Sequence, residues 1–142
     1  MKLISTKFSG LKIFSGKTHL DNRGAFRELF LKKRNKGFHG VFWCMSRSKK
    51  NVIRGLHIQK KINQAKYVSV VKGKIFDVAL DLRKKSKTFG KVFKIILSDK
   101  NCLSLYIPEG FAHAYYSFEK KNIIYYKLTN YYSPKYEDGI NV

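Results

Sequence analysis

Apolar and polar residues alternate with a period of two along most of the chain, the spacing of half-buried strands. In AFRELFL (25–31), Phe26, Glu28 and Phe30 share one face, with Ala25, Arg27, Leu29 and Leu31 on the other. In KIFDVALDL (74–82), Phe76, Val78, Leu80 and Leu82 form a wholly apolar face opposite Ile75, Asp77, Ala79 and Asp81. QAKYVSVV (64–71), KVFKIILS (91–98) and NIIYYKLT (122–129) are rich in the β-branched and aromatic residues that suit a pleated surface. Turn signals recur about every ten residues, at DNRG (21–24), KG (72–73), FG (89–90), SDKN (98–101) and PEG (108–110). Short, evenly spaced strands predict an all-β sandwich or barrel of jelly-roll type. The one helix-like possibility is a short turn near 99–103. No repeat or linker interrupts the pattern, so residues 1–142 read as a single domain.

The mixed face of 74–82 leaves two readings open. Asp77 and Asp81 face solvent, or they point inward in a small barrel that encloses a polar ligand pocket.

Composition narrows the classes. A chain of 142 residues with 44% hydrophobic and 15% aromatic residues has material for a real core, which excludes disorder. No apolar run approaches the roughly 20 residues of a membrane span. The start, MKLISTKFSGLKIF, is broken by Lys7 and Lys12 and lacks a signal-peptide core. Cys44 and Cys102 have no metal-type spacing and are too few for a disulfide scaffold, so a reducing, cytoplasmic setting is expected. The net charge of +21 raises nucleic acid as a partner. However, only six of the 30 basic residues are arginines, and the lysines fall in short runs between apolar segments. Without a nucleic-acid-binding motif, a lysine-rich surface with a general attraction for phosphates is the expectation.

Candidate chemistry sits in NVIRGLHIQK (51–60) and YIPEGFAHAYYSF (106–118). An imidazole beside a cation suits proton transfer near an anionic ligand, which directs attention to His57 and Arg54. Pro108 and Gly110 form a turn that delivers a second histidine, His113, into a strand. A metal is not expected. Gln59 stands where a His-x-His pair would place its second ligand, no carboxylate follows His57 in its segment, and His19 and His39 fall in loops.

The blocks RGLHIQ, QAKYVSVVKGKIFDVALDLR, SKTFG, LSDKN, YIPEGFAHA and YKLTNYYSP, with DNRGAFRELF upstream, follow one another in a characteristic order. Together, over about residues 10 to 140, they resemble the dTDP-4-dehydrorhamnose 3,5-epimerase family, the metal-free cupins of nucleotide-sugar biosynthesis. The resemblance implies a cupin jelly roll acting on a nucleotide-diphosphate sugar without a cofactor. It implies His57 as the general base beside a C4 ketone, Lys66 as the cation near the enolate oxygen, and Tyr126 as the acid on the opposite face. His113 matches a second pocket histidine, and Asp77 a supporting carboxylate. Arg23 and Arg54 match cations on the diphosphate, Phe26, Glu28 and Tyr132 match positions around the base, and Gln59 joins the substrate-binding set. It further implies a homodimer whose N-terminal strand reaches the partner's site, so that Arg23 and Glu28 serve the neighbouring ligand.

The chain departs from the family pattern in three places. It ends at EDGINV, ahead of the position where family members carry an aspartate paired with the base, which makes Asp77 the candidate partner of His57 and predicts one predominant inversion. Cys44, in CMSRS, occupies the place of a usual asparagine, and Ala114 that of a frequent glycine. Two other functions fit the same blocks. One is a 3,4-ketoisomerase, whose RG-x-His-x-His pattern lacks its second histidine at Gln59. The other is a cupin that binds a nucleotide sugar without turnover.

Overall fold

The computed structural model describes residues 1–139, and two antiparallel sheets account for most of them. The larger runs in the order β1 (Lys2–Ser5), β2 (Lys12–Ser15), β10 (Leu103–Ile107), β7 (Lys66–Lys72), β12 (Asn122–Leu128), β5 (Phe42–Ser48). The smaller runs β13 (Glu137–Gly139), β6 (Ile53–Gln59), β11 (Phe111–Ser117), β8 (Lys74–Asp81), β9 (Val92–Ser98). A separate hairpin joins β3 (Thr18–Asp21) to β4 (Gly24–Arg27). The expected jelly-roll sandwich is the observed fold. No helix among the described residues is long and apolar enough to cross a membrane.

The core lies between the sheets, where Val68, Val70, Leu105 and Ile124 of the larger meet Ile75, Ala79, Leu97 and Phe111 of the smaller. On β8 the inner face is the mixed one. Ile75, Asp77, Ala79 and Asp81 are fully buried, whereas Phe76, Val78 and Leu80 are only half-buried. Two buried carboxylates need partners, and each has its own. Asp81 accepts from Arg83 Nε at 2.9 Å and from the hydroxyls of Ser86 and Thr88, both at 2.6 Å, which locks the 82–90 loop. Burial alone would raise its pKa, but these donors outweigh burial and hold the carboxyl far below its usual range.

Two expected elements differ. The strand predicted at 25–31 ends at Arg27, because the following segment folds over the outer face of the larger sheet, where Phe30 and Phe38 pack on Tyr67. The segment near 99–103 is a turn held by a side chain, with Asn101 Oδ1 accepting from the amides of Ser98 and Leu103. Among the described residues the 3-10 turns fall instead at Lys32–Arg34 and Pro134–Tyr136.

Candidate active site

In a regular strand, Arg54 and His57 would point to opposite faces, since they are three residues apart. The ladder between β6 and β11 breaks this rule. His113 opposes His57 and Tyr115 opposes Arg54, so three steps on β6 match two on β11. The extra residue is a bulge, and it turns both Arg54 and His57 into one cavity. Gly55 makes the bulge feasible. Its φ is +119°, and a Cβ there would lie 2.5 Å from both Ala114 Cβ and His113 O.

The cavity has a volume of about 640 Å³ and opens between the two sheets. From the smaller sheet come Arg54, His57, His113, Tyr115 and Glu137; from the larger come Cys44, Lys66 and Tyr126. Tyr132 closes one side.

His57 Nδ1 lies 3.0 Å from Glu137 Oε1. The carboxylate stands beside Nδ1, where its charge favours the tautomer protonated on that nitrogen and leaves Nε2 to face the cavity as the basic one. The pair forms because β13 adds to the edge of β6, with Gly139 opposite His57 and Glu137 opposite Gln59. Tyr132 donates its phenol to the other oxygen of the same carboxylate, which raises the tyrosine's pKa. The expectation that Asp77 partners His57 is therefore corrected. Asp77 Oδ2 instead lies 2.9 Å from His113 Nε2, and the two are 0% and 5% exposed. Residues 77 and 113 are diagonal neighbours on one face of the β8–β11 ladder, which puts their side chains within reach. The premise for a single predominant inversion, a weaker dyad of His57 with Asp77, falls with this correction.

Lys66 closes the inner row Lys66, Val68, Val70 of β7 and reaches the cavity at its end. Desolvation holds its pKa below the ordinary lysine value, opposed by the negative charges of Asp77 and Glu137 and by the Cys44 thiol. Its surroundings thus combine a fixed cation with few competing waters. Tyr126, opposite Cys44 on β5, places its Oη 3.1 Å from Ser46 Oγ. Burial is the main cause that lifts its phenol well above the usual value, and Tyr115 adds to it. Burial likewise raises the Cys44 thiol.

Four expected ligand contacts lie elsewhere. Gln59 is buried outside the cavity, and its Oε1 accepts from the Ser133 amide at 3.2 Å; with Gln64, which donates to the carbonyls of Asn130 and Tyr131, it braces the loop that carries Tyr132. Arg23, Phe26 and Glu28 are exposed on or just past the β3–β4 hairpin, away from this chain's own cavity. Arg23 there pairs with Asp21, Nη2 to Oδ2 at 2.6 Å. Residues that sequence reasoning passed over are Glu137, Tyr115, Ser46 and Ser48. Of these only Glu137 left a signal, a carboxylate five residues beyond Tyr132 in a short extended segment.

Among the described residues no three His, Cys, Asp or Glu side chains converge as metal ligands would. What the cavity does offer is proton chemistry: an imidazole with a free nitrogen on one sheet, a phenol on the other, an ammonium at the end of β7, and a guanidinium at the rim. Comparison with known proteins agrees with this chemistry. The family model described as dTDP-4-dehydrorhamnose 3,5-epimerase matches residues 5–142. The dTDP-4-dehydrorhamnose 3,5-epimerase of Salmonella typhimurium is 41% identical over 146 residues, covering 99% of this chain and 80% of that protein. A dTDP-6-deoxy-D-glucose-3,5-epimerase from Legionella pneumophila, solved in complex with dTDP-4-keto-L-rhamnose, superposes with a TM-score of 0.92 at 42% identity, covering 98% of this chain and 77% of that one. A 4-keto-6-deoxy sugar epimerase from Streptomyces spheroides gives a TM-score of 0.92 at 28% identity, covering 99% of this chain and 73% of that one. The chain belongs to the dTDP-4-dehydrorhamnose 3,5-epimerase family.

Proposed function

We propose that the chain epimerises a dTDP-linked 4-keto-6-deoxyhexose at carbon next to the ketone. The observation that carries this reading is the placement of His57 and Tyr126 on opposite sheets of one cavity, with Lys66 beside them. Inversion needs a base on one face of the carbon and an acid on the other, and a single group serves both faces poorly.

In the reaction His57 Nε2 takes the proton beside the ketone. The C–H electron pair becomes the enolate, and the imidazolium is balanced by Glu137. The Lys66 ammonium faces the enolate oxygen, a preorganised charge of the kind that lowers such barriers most. Tyr126 Oη then delivers its proton to the carbon from the other sheet. His113, held by Asp77, hydrogen-bonds the sugar. Arg54 takes the diphosphate, and Tyr132 flanks the nucleotide. Incubation with a dTDP-linked 4-keto-6-deoxyhexose, read by proton NMR, tests the reading. New signals of the inverted sugar are expected, and recovery of the substrate unchanged would sink it.

The exposed hairpin supports a homodimer in the same reading. An isolated two-stranded ribbon is marginal in water. This one nevertheless exposes Leu20 at 79% and Phe26 at 67% of their surface, while Arg27 ties its base to Val70 O and Asp99 O. Docked on a second copy, the hairpin buries these side chains and brings Arg23 and Glu28 toward that copy's cavity. Light scattering at micromolar concentration is expected to give the dimer mass. A monomer would remove Arg23, Phe26 and Glu28 from the binding set.

A further inference from the structure

A row of hydroxyls connects Arg54 to Tyr126. Arg54 Nε donates to Ser48 Oγ at 3.1 Å, and Ser48 Oγ lies 2.8 Å from Tyr115 Oη. Tyr115 Oη lies 2.9 Å from Ser46 Oγ, which lies 3.1 Å from Tyr126 Oη. The row crosses between the sheets, because Tyr115 is on β11 while both serines are on β5.

Its direction follows from counting protons. A guanidinium has no acceptor, so the first bond runs from Arg54 into Ser48. Ser48 is buried, and among the described residues Tyr115 Oη is the acceptor in reach of its one hydroxyl proton. Tyr115 is buried as well. Its oxygen receives from Ser48, so its own proton goes to Ser46 Oγ, and Ser46 in turn donates to Tyr126. Ser48, Tyr115 and Ser46 then each accept once and donate once, and Tyr126 accepts once with its proton left for the cavity. The reverse direction leaves the Ser48 proton buried without a partner, a state that folded proteins avoid.

We propose that Ser46, Ser48 and Tyr115 are positioning residues, polarised from Arg54, that keep the Tyr126 oxygen supplied with a hydrogen bond and its proton aimed into the cavity. The inference rests on the reading of Tyr126 as the acid. When Tyr126 acts, the enolate carbon's electron pair forms the new C–H bond. The Oη–H bond breaks, and its pair stays on the phenolate oxygen. Ser46 already donates to that oxygen, so the charge appears where a donor waits, with no reorganisation. Burial raises the Tyr126 phenol, which makes this waiting donor matter more. Arg54, at the head of the row, also ties the direction of the acid to the group that holds the diphosphate.

The test compares wild type with Ser48→Ala, Tyr115→Phe and Ser48→Thr, using a dTDP-linked 4-keto-6-deoxyhexose in deuterated water. The quantity read is the ratio of inverted product to deuterium incorporated, with a cooperative melt confirming that each variant folds. Ser48→Ala and Tyr115→Phe are each expected to lower the ratio about tenfold, part of the factor an acid of this kind contributes. Ser48→Thr keeps the hydroxyl and should return the ratio to within about twofold of wild type. Exchange and inversion falling in parallel, with the ratio unchanged, would overturn the proposal, since a merely structural role gives that result. Failure of folded Ser48→Thr to restore the ratio would overturn it too. A wild type that exchanges no carbon-bound proton would overturn the epimerase reading and this inference with it.

Discussion

Glu137 Oε1 stands 3.0 Å from His57 Nδ1, and a three-residue strand, β13, exists at the edge of β6 to hold it there. The carboxylate favours a proton on Nδ1 and balances the imidazolium that forms when His57 takes a second one. Glu137→Gln keeps the shape but can donate to Nδ1 and favour the wrong tautomer. A loss of about tenfold or more in kcat is expected, short of the roughly 10⁴-fold seen when a buried orienting aspartate is neutralised, because this pair is partly exposed. Steady-state kinetics of the folded variant check it; an unchanged kcat would remove Glu137 from the site.

Lys66 makes a pH prediction. It stabilises an enolate only as the ammonium, and desolvation depresses its pKa below the ordinary lysine value. The alkaline limb of kcat should therefore fall at lower pH than an exposed lysine would give. Lys66→Arg retains a charge throughout the accessible range and should flatten that limb, at some cost in geometry. Lys66→Ala should lower kcat by about 100- to 1000-fold, the effect of removing a comparable preorganised donor. An effect confined to KM would make Lys66 a binding residue only.

Asp77 acts on the same limb from a distance. Its negative charge favours the Lys66 ammonium, so Asp77→Asn should move the alkaline limb further toward neutrality. The variant also breaks a buried pair with His113, and a destabilisation of about 3 kcal/mol is expected from denaturant titration. A limb that stays in place would separate Asp77 from Lys66.

Asp81 predicts stability rather than activity. Its folded pKa is depressed relative to the unfolded carboxyl near 3.8. The stability it contributes is thus present above that value and lost as pH falls below it. Asp81→Ala should cost about 3 kcal/mol at neutral pH, with the gap to wild type closing in acid below about pH 4. A gap that persists there would assign the loss to packing.

The period-two pattern made the strands legible, since each side of a sandwich demands it. It misled at 25–31, where packing over the larger sheet ends the strand at Arg27, and it left β8 open between two readings. On β8 the apolar face points outward and the inner face carries Asp77 and Asp81, because an enclosed carboxylate with its own partners is stable while periodicity registers only hydropathy. His57, Lys66 and Tyr126 emerged from ordered blocks rather than from alternation. The bulge at Gly55, which alone lets Arg54 and His57 share a cavity, is a feature of pairing and has no local pattern. Glu137 went unrecognised because its role arises from β13 docking on β6. Ser46, Ser48 and Tyr115 are neutral hydroxyls whose significance lies wholly in distances.

The most direct measurement is deuterium incorporation next to the ketone of a dTDP-linked 4-keto-6-deoxyhexose in deuterated water, by wild type and by His57→Ala. His57 is half-exposed, so its truncation removes a base and little packed volume, and the variant should fold. Wild type is predicted to incorporate deuterium and yield inverted sugar, and His57→Ala to incorporate less than about a hundredth as much, in line with the loss of a general base. Incorporation by folded His57→Ala at more than about a tenth of the wild-type rate would contradict the account, because the proton would then leave by another group.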